Sequence, residues 1–306
     1  MRHNSTEKHL HNLRHSYRRK TLAFIFAFFT IVSIHAQDYK KAFANVPQVK
    51  ADITHVFDPI CKQASFICEN HLVCLSNDGH ATAYPLFSTA DSVKFDLDCV
   101  KFAPHCNVAN LVRKGKKNYL YTSEWNNQRR FFVEDISYDK KQNKWSSRLI
   151  QTISMDIPDS ISGAGFTDWI VDARHNKLYA HTYLEGVEGN DRIATGVILL
   201  EFNLPSRTKQ QVTLRQADIL RRASYPMFYV TQDKEIHKGK MYIMAGLRTS
   251  KKKNWDFSRK MFVINLSNLE VEKIYDFAFY FDEPEGIDFY KGKTYVTFRR
   301  GTYILK

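Results

Sequence analysis

The feature that most constrains this chain is a hairpin written five times. "QDKEIHKGKMYI" from Gln232 and "EGIDFYKGKTYV" from Glu285 share a polar start, an apolar run, a Lys-Gly-Lys turn and a second run containing Tyr. "QASFICENHLVCL" from Gln63 keeps the same spacing. "DWIVDARHNKLYAHTY" from Asp168 carries one extra turn residue, and "NVANLVRKGKKNYLYTSEW" from Asn107 a longer turn. The copies begin about every 55 residues. A period of this size means units that cannot bury their apolar faces alone and must stack on neighbours.

Each hairpin but the last is followed by two further runs in which apolar and polar residues alternate. They are "HATAYPLF" and "SVKFDL", "RRFFVEDIS" and "SSRLIQTI", "TGVILLEFNL" and "KQQVTLR", and "RKMFVINLS" and "EVEKIYDF". Alternation rich in Val, Ile, Phe and Tyr reads as strand. Four strands per repeat predict an all-β propeller. The fifth unit ends at "GTYILK" one strand short, while "QVKADITHVF" precedes the first hairpin with no inner strands of its own. Residues 48–57 are therefore expected to pair with residues 302–306, closing a five-bladed ring and removing a sheet edge. The alternative, six blades, would need another hairpin.

Residues 1–36 stand outside this pattern. A basic stretch to Lys20, an apolar run and "IHA" before Gln37 form an expected secretory signal peptide. The run is short for a membrane span, so the expectation is a secreted or periplasmic chain without stable membrane insertion, with residues 37–306 as one propeller domain. Removing residues 1–36 leaves 39 Lys and Arg against 31 Asp and Glu. That surplus suits an anionic partner without requiring one. The five cysteines fall between Cys61 and Cys106 in no zinc spacing. Burial as small apolar residues is the expectation, with one optional Cys68–Cys74 disulfide left open.

The "PEGI…GKTYV" unit resembles those of secreted bacterial five-bladed propeller proteins of uncharacterised function. More distantly, the chain is similar to gluconolactonase-like and glutaminyl-cyclotransferase-like propellers, sharing with them only the "EG" at Glu285–Gly286. The gluconolactonase resemblance implies a Ca²⁺ or Mg²⁺ site made by Glu285, Asn107 and Asp168.

In a propeller the inner strands begin at one mouth of the central channel. The residues at those starts are Gln63, Asn107, Asp168, Gln232 and Glu285, with His105 just before Asn107. Five converging polar groups suit a ligand or a divalent cation, and they equally suit backbone groups and channel water. If the protein is an enzyme, Asp168, Glu285 and His105 are the acid–base candidates. The chain contains no G-x-S-x-G and no H-E-x-x-H, which favours binding over catalysis. Loops between second and third strands should open on the same face. They would bring Arg129, Arg130, Arg248, Lys251, Lys252, Lys253, Arg259, Lys260, Arg299 and Arg300 together with Trp125 and Trp255. Cations beside aromatic rings suit an anionic glycan or surface polymer. A partner protein is a further option, nucleic acid is disfavoured by export, and the chain is expected to be a monomer.

Overall fold

A computed structural model describes residues 43–102, 105–124, 129–163, 166–188, 191–226, 231–246, 259–280 and 282–306. Five sheets stand in chain order around an axis. Blade 1 holds Ser65–Cys68, His71–Leu75, His80–Pro85 and Val93–Asp96 from inside outward. Blade 2 holds Cys106–Lys114, Lys117–Glu124, Phe131–Asp139 and Lys144–Asp156. Blade 3 holds Thr167–Asp172, Lys177–Glu188, Asp191–Asn203 and Arg221–Pro226. Blade 4 holds Thr231–His237, Lys240–Ala245, Lys260–Asn265 and Glu270–Asp276. Blade 5 takes Pro284–Tyr290, Lys293–Phe298 and Arg300–Leu305 from the C-terminus, and its outer strand, Ile53–Ile60, from the other end of the chain.

The shared hairpin has a backbone reason. Lys238 and Gly239 have φ of 50° and 74°, and Lys291 and Gly292 have 48° and 74°. Two successive positive φ values match the right-handed twist of the flanking strands in a two-residue turn. A Cβ on Gly239 or Gly292 would touch nothing within 4 Å, so glycine stands there for its torsion and not for space. Blade 1 makes the equivalent turn with Glu69 and Asn70, at 48° and 61°.

Apolar clusters fill the gaps between blades, one per gap. Ile170, Tyr179, Val197 and Leu199 of blade 3 pack on Met241, Ile243, Phe262 and Ile264 of blade 4. Ile198, Leu200 and Phe202 point the other way, onto Phe131 and Val133 of blade 2. A strand packed on both faces must be apolar at successive positions, hence "GVILLEF". Further clusters join blades 1 and 2, blades 4 and 5, and blades 5 and 1. The last, with Tyr295 against Ile67 and Leu72, closes the ring.

Three expectations are corrected. The N-terminal segment divides: Ile53–Ile60 pairs with Arg300–Leu305, but Gln48–Lys50 runs parallel to Ile274–Asp276 as a fifth strand of blade 4. The outer strand of blade 3 is Arg221–Pro226, while Gln211–Arg215 crosses to pair in parallel with Thr152–Asp156 of blade 2. In both places an outer edge is covered by a neighbouring segment, one way of blunting an edge strand. Finally, Cys74 lies opposite Ser65 and Cys68 opposite His71. Three rungs of about 3.4 Å separate Cys68 from Cys74, beyond the reach of a disulfide.

Candidate functional site

The inner strands do not run straight to the mouth. In blade 2, Cys106 and Val108 face successive partners, leaving Asn107 as an extra residue. In blade 5 the extra residue is Glu285, between paired Pro284 and Gly286. In blade 4 it falls in the pair Gln232–Asp233, between Thr231 and Lys234. A bulge re-aims a side chain that the pleat would send elsewhere. Three of the five predicted mouth residues thus sit at bulges. Asp168 sits on a regular strand opposite His181. Gln63 precedes its strand, its amide N–H donating to Leu75 O at 3.1 Å.

Two polar clusters result. The first surrounds Asp168, which is 1 % exposed. Lys234, itself fully buried, donates from Nζ to Asp168 Oδ2 at 2.5 Å and to Gln232 O at 2.9 Å. Asn107 Nδ2 lies 3.3 Å from each Asp168 carboxylate oxygen and 3.2 Å from Thr231 O. Ser123 and Thr231 donate to the same carboxylate at 3.5 and 3.4 Å, and Tyr183 bonds Thr231 in turn. Burial lowers the Lys234 pKa, and Asp168 opposes that shift. Burial and then the Lys234 charge hold His181 well below the usual histidine range. Burial also lowers His105, against the pull of Asp168.

The second cluster lies where blades 4, 5 and 1 meet. Gln232 Nε2 donates to Glu283 Oε1 at 2.7 Å, and the Arg299 amide N–H to Glu283 O at 2.9 Å. Glu285 is 2 % exposed. Burial raises its pKa well above the carboxylate range, with Glu283, Cys61 and Asp282 adding to the rise and Arg299 opposing it. Gln63 donates from Nε2 to Asn77 Oδ1 at 3.3 Å, and its buried Oε1 has no partner among the described residues.

The predicted residues are thus gathered at one mouth but in two groups. Asn107, Asp168 and His105 belong to the first, Glu285 to the second, Gln232 touches both, and the Gln63 side chain bonds Asn77 within blade 1. The carboxyls of Asp168 and Glu285 keep separate company and form no acid–base dyad. As to Ca²⁺ or Mg²⁺, the positive charge beside Asp168 is the Lys234 ammonium. Among the described residues no three His, Cys, Asp or Glu side chains come together as a metal-holding group.

Below the mouth, three more acids fill the channel. Asp233 accepts from the amides of Ala109 at 3.2 Å and Ile287 at 3.3 Å, joining blade 4 to blades 2 and 5. Asp288 accepts from Ser65 Oγ at 3.1 Å and the Ile67 amide at 2.9 Å, joining blade 5 to blade 1. Asn110 accepts from the Val171 amide at 3.1 Å and donates to Lys234 O at 2.5 Å and Glu235 Oε2 at 3.0 Å. Burial pushes Asp288 up to about 7, and burial with the nearby Asp288 charge pushes Glu235 up to about 8. Blades 5 and 1 approach closely because residue 286 is glycine: a Cβ there would stand 2.0 Å from Ser65 Oγ.

Lys234, Asp233, Glu235 and Asp288 were missed in the sequence. The available signal was "QDKE", three consecutive charges where the other inner strands read "SFIC" or "DWIV".

The rim is partly in view. Arg129, after the second strand of blade 2, donates to Ser162 Oγ at 2.9 Å, Asp159 Oδ1 at 2.8 Å and Gly163 O at 2.6 Å. Arg259 Nε donates to Asp282 O at 2.9 Å. Gly163 and Asp282 shortly precede the inner strands of blades 3 and 5, so these loops and the channel mouth share a face. Arg130 grips the buried Glu124 with two bonds of 2.7 Å. Arg129, Arg130 and Arg259 are therefore engaged within the protein, Arg299 is half-buried beside Glu285, and Arg300 is exposed. Trp125, Arg248, Lys251, Lys252, Lys253 and Trp255 lie outside the described residues.

No protein-family profile and no curated protein sequence matches the chain. Among solved structures, glutaminyl cyclase from Myxococcus xanthus superposes with a TM-score of 0.51 at 12% identity, covering 85% of this chain and 97% of that one. A GH43_1 enzyme from Xanthomonas citri complexed with xylose gives 0.42 at 10% identity, over 88% and 92% of the two chains. BamB from Moraxella catarrhalis gives 0.33 at 6%, over 79% and 70%. The likeness is one of fold. This chain is a β-propeller by its own five sheets. Among the described residues, no helix is long and apolar enough to cross a membrane.

Proposed function

We propose that this is an exported binding propeller whose channel-mouth face takes the acidic sugar units of an anionic glycan or surface polymer. The observation that carries the reading is Glu285: a buried carboxyl at a bulge, beside Arg299, whose burial favours the protonated form. A protonated acid donates to a carboxylate or hydroxyl, a guanidinium beside it favours negative charge, and the spare Gln63 Oε1 accepts from a sugar hydroxyl. Arg248, Lys251, Lys252 and Lys253, with Trp125 and Trp255, would extend the grip along the polymer. Export rests on the basic and apolar character of residues 1–36.

Titration calorimetry with oligogalacturonate, and with a neutral maltooligosaccharide as control, tests this. Only the acidic sugar should bind, with affinity falling steeply as salt rises, since exposed charges are screened beyond about 8 Å at physiological ionic strength. Binding should weaken as pH rises, because ionised Glu285 repels a carboxylate; Glu285→Gln should bind at low pH and lose that dependence. An oligogalacturonate that fails to bind at low salt, or binds Glu285→Gln with unchanged pH dependence, overturns the reading.

The same raised carboxyl favours one alternative, a hydrolase or glutaminyl cyclase-like cyclotransferase in which Glu285 protonates a leaving group. Ammonia release from a glutaminyl dipeptide, lost in Glu285→Gln, would establish it in place of binding.

A further inference from the structure

Four of the five cysteines meet in pairs, and neither pair is the Cys68–Cys74 hairpin pair. Cys61 directly follows the closing strand Ile53–Ile60. The amides of Lys62 and Gln63 donate to Leu75 O at 3.3 and 3.1 Å, and the Leu75 amide returns a bond to Ala64 O at 3.0 Å. These bonds gather residues 62–64 onto Leu75, the neighbour of Cys74, and Cys61 folds back over them, its Sγ donating to Gln63 O at 3.0 Å and lying 3.8 Å from Ala64 O. The two thiols are in hydrogen-bond contact within one apolar cluster. Cys99 lies in the short turn Asp98–Lys101 that leaves blade 1, and Cys106 opens the inner strand of blade 2. Their thiols are likewise in hydrogen-bond contact, within the cluster between blades 1 and 2. Cys68 is buried elsewhere in that cluster, opposite His71.

We infer that the chain is covalently modified at two places, by disulfides Cys61–Cys74 and Cys99–Cys106, with Cys68 remaining a thiol. Each bond spans a joint of the ring. The first ties the segment that completes blade 5 to blade 1, and the second ties the exit of blade 1 to blade 2. This accounts for two features of the sequence together: an odd number of cysteines, and their confinement to 46 residues around those joints. Disulfides form in the compartments to which exported chains go.

The oxidant is a protein or small-molecule disulfide. One cysteine thiolate attacks a sulfur of the oxidant, expelling one thiolate and leaving a mixed disulfide. The second cysteine thiolate attacks the mixed disulfide and expels the other. Each cysteine pair gives up two protons and two electrons, and the oxidant is reduced to two thiols. All four sulfurs lie in residues at most 2 % exposed, so exchange takes place during folding, before the ring closes.

The test is to fold the full chain in a mixture of oxidised and reduced glutathione, unfold it without reductant, alkylate it and map the peptides. One alkylated thiol, Cys68, and two linked peptides, Cys61–Cys74 and Cys99–Cys106, are expected. Three or five alkylated thiols, or any link that includes Cys68, overturn the inference. The double variant Cys61→Ala/Cys74→Ala should again show one alkylated thiol, since the other pair closes independently; three would overturn it. Closing short loops restricts the unfolded chain, so reduction should lower Tm by on the order of 5 °C. Equal melting of the oxidised and reduced chains would contradict a stapling role.

Discussion

Lys234 is the side chain least expected in the channel. It is 0 % exposed, and its ammonium is neutralised by Asp168. Breaking one half of a buried ion pair strands the other charge and costs about 3–5 kcal/mol. Lys234→Met should therefore lower the free energy of urea unfolding by that amount. Adding Asp168→Asn should restore much of it, because no lone charge is left. A double variant no more stable than Lys234→Met would mean that the lysine acts through shape alone.

The deeper acids set a pH dependence. Asp288 at about 7 and Glu235 at about 8 stand well above the values near 4 of an unfolded chain. Between about pH 4 and pH 8 the folded state then binds more protons than the unfolded one, and stability falls as pH rises. Their contribution is fully present below about pH 4 and lost by about pH 8. Each such group contributes a slope of up to about 1.4 kcal/mol per pH unit. Asp288→Asn keeps an acceptor for the Ile67 amide and removes one titration, so urea titrations from pH 4.5 to 8.5 should show a shallower fall. Identical slopes would place the pH dependence elsewhere.

At the scale of elements, the hairpins were legible because their turns need particular residues and because strands packed on both faces must be apolar. Less legible was where outer strands pair. "KQQVTLR" has the right pattern for a fourth strand, but pattern does not say which blade it joins, and Gln211–Arg215 joins blade 2. The start of each inner strand was readable as polar. Its bulges were not, since alternation does not mark an extra residue within a hairpin, nor was the partnership of Asp168 with Lys234, which depends on residues 66 positions apart meeting at the axis. The division of the N-terminal segment makes a graded prediction. A chain beginning at Asp52 loses one strand, Gln48–Lys50, with the buried Phe43 and Ala51, and should still melt cooperatively. One beginning at Cys61 also loses Ile53–Ile60, exposing the edge of Arg300–Leu305, and should not. Equal melting of the two would deny the closing strand its role.

At the scale of the whole molecule, the hydrogen bonds between blades 2 and 4 cross the axis. Asn107 reaches Thr231, the Ala109 amide reaches Asp233, and Asn110 reaches Lys234 and Glu235. A pentagon with hinged corners shears freely, but one diagonal divides it into a triangle, which cannot shear, and a quadrilateral, which can. Blades 2, 3 and 4 are the triangle; blades 4, 5, 1 and 2 are the quadrilateral. Breathing of the ring is thereby confined to one side, and backbone amides at the axis should exchange hydrogen more slowly in Thr167–Asp172 than in Ser65–Cys68 or Pro284–Tyr290. The compliant side is the one that carries Glu285, Arg299 and Gln63, so a guest there would meet walls able to give. It is also the side on which the cysteine pairs straddle two of the three joints, so oxidation would set how far those walls can part.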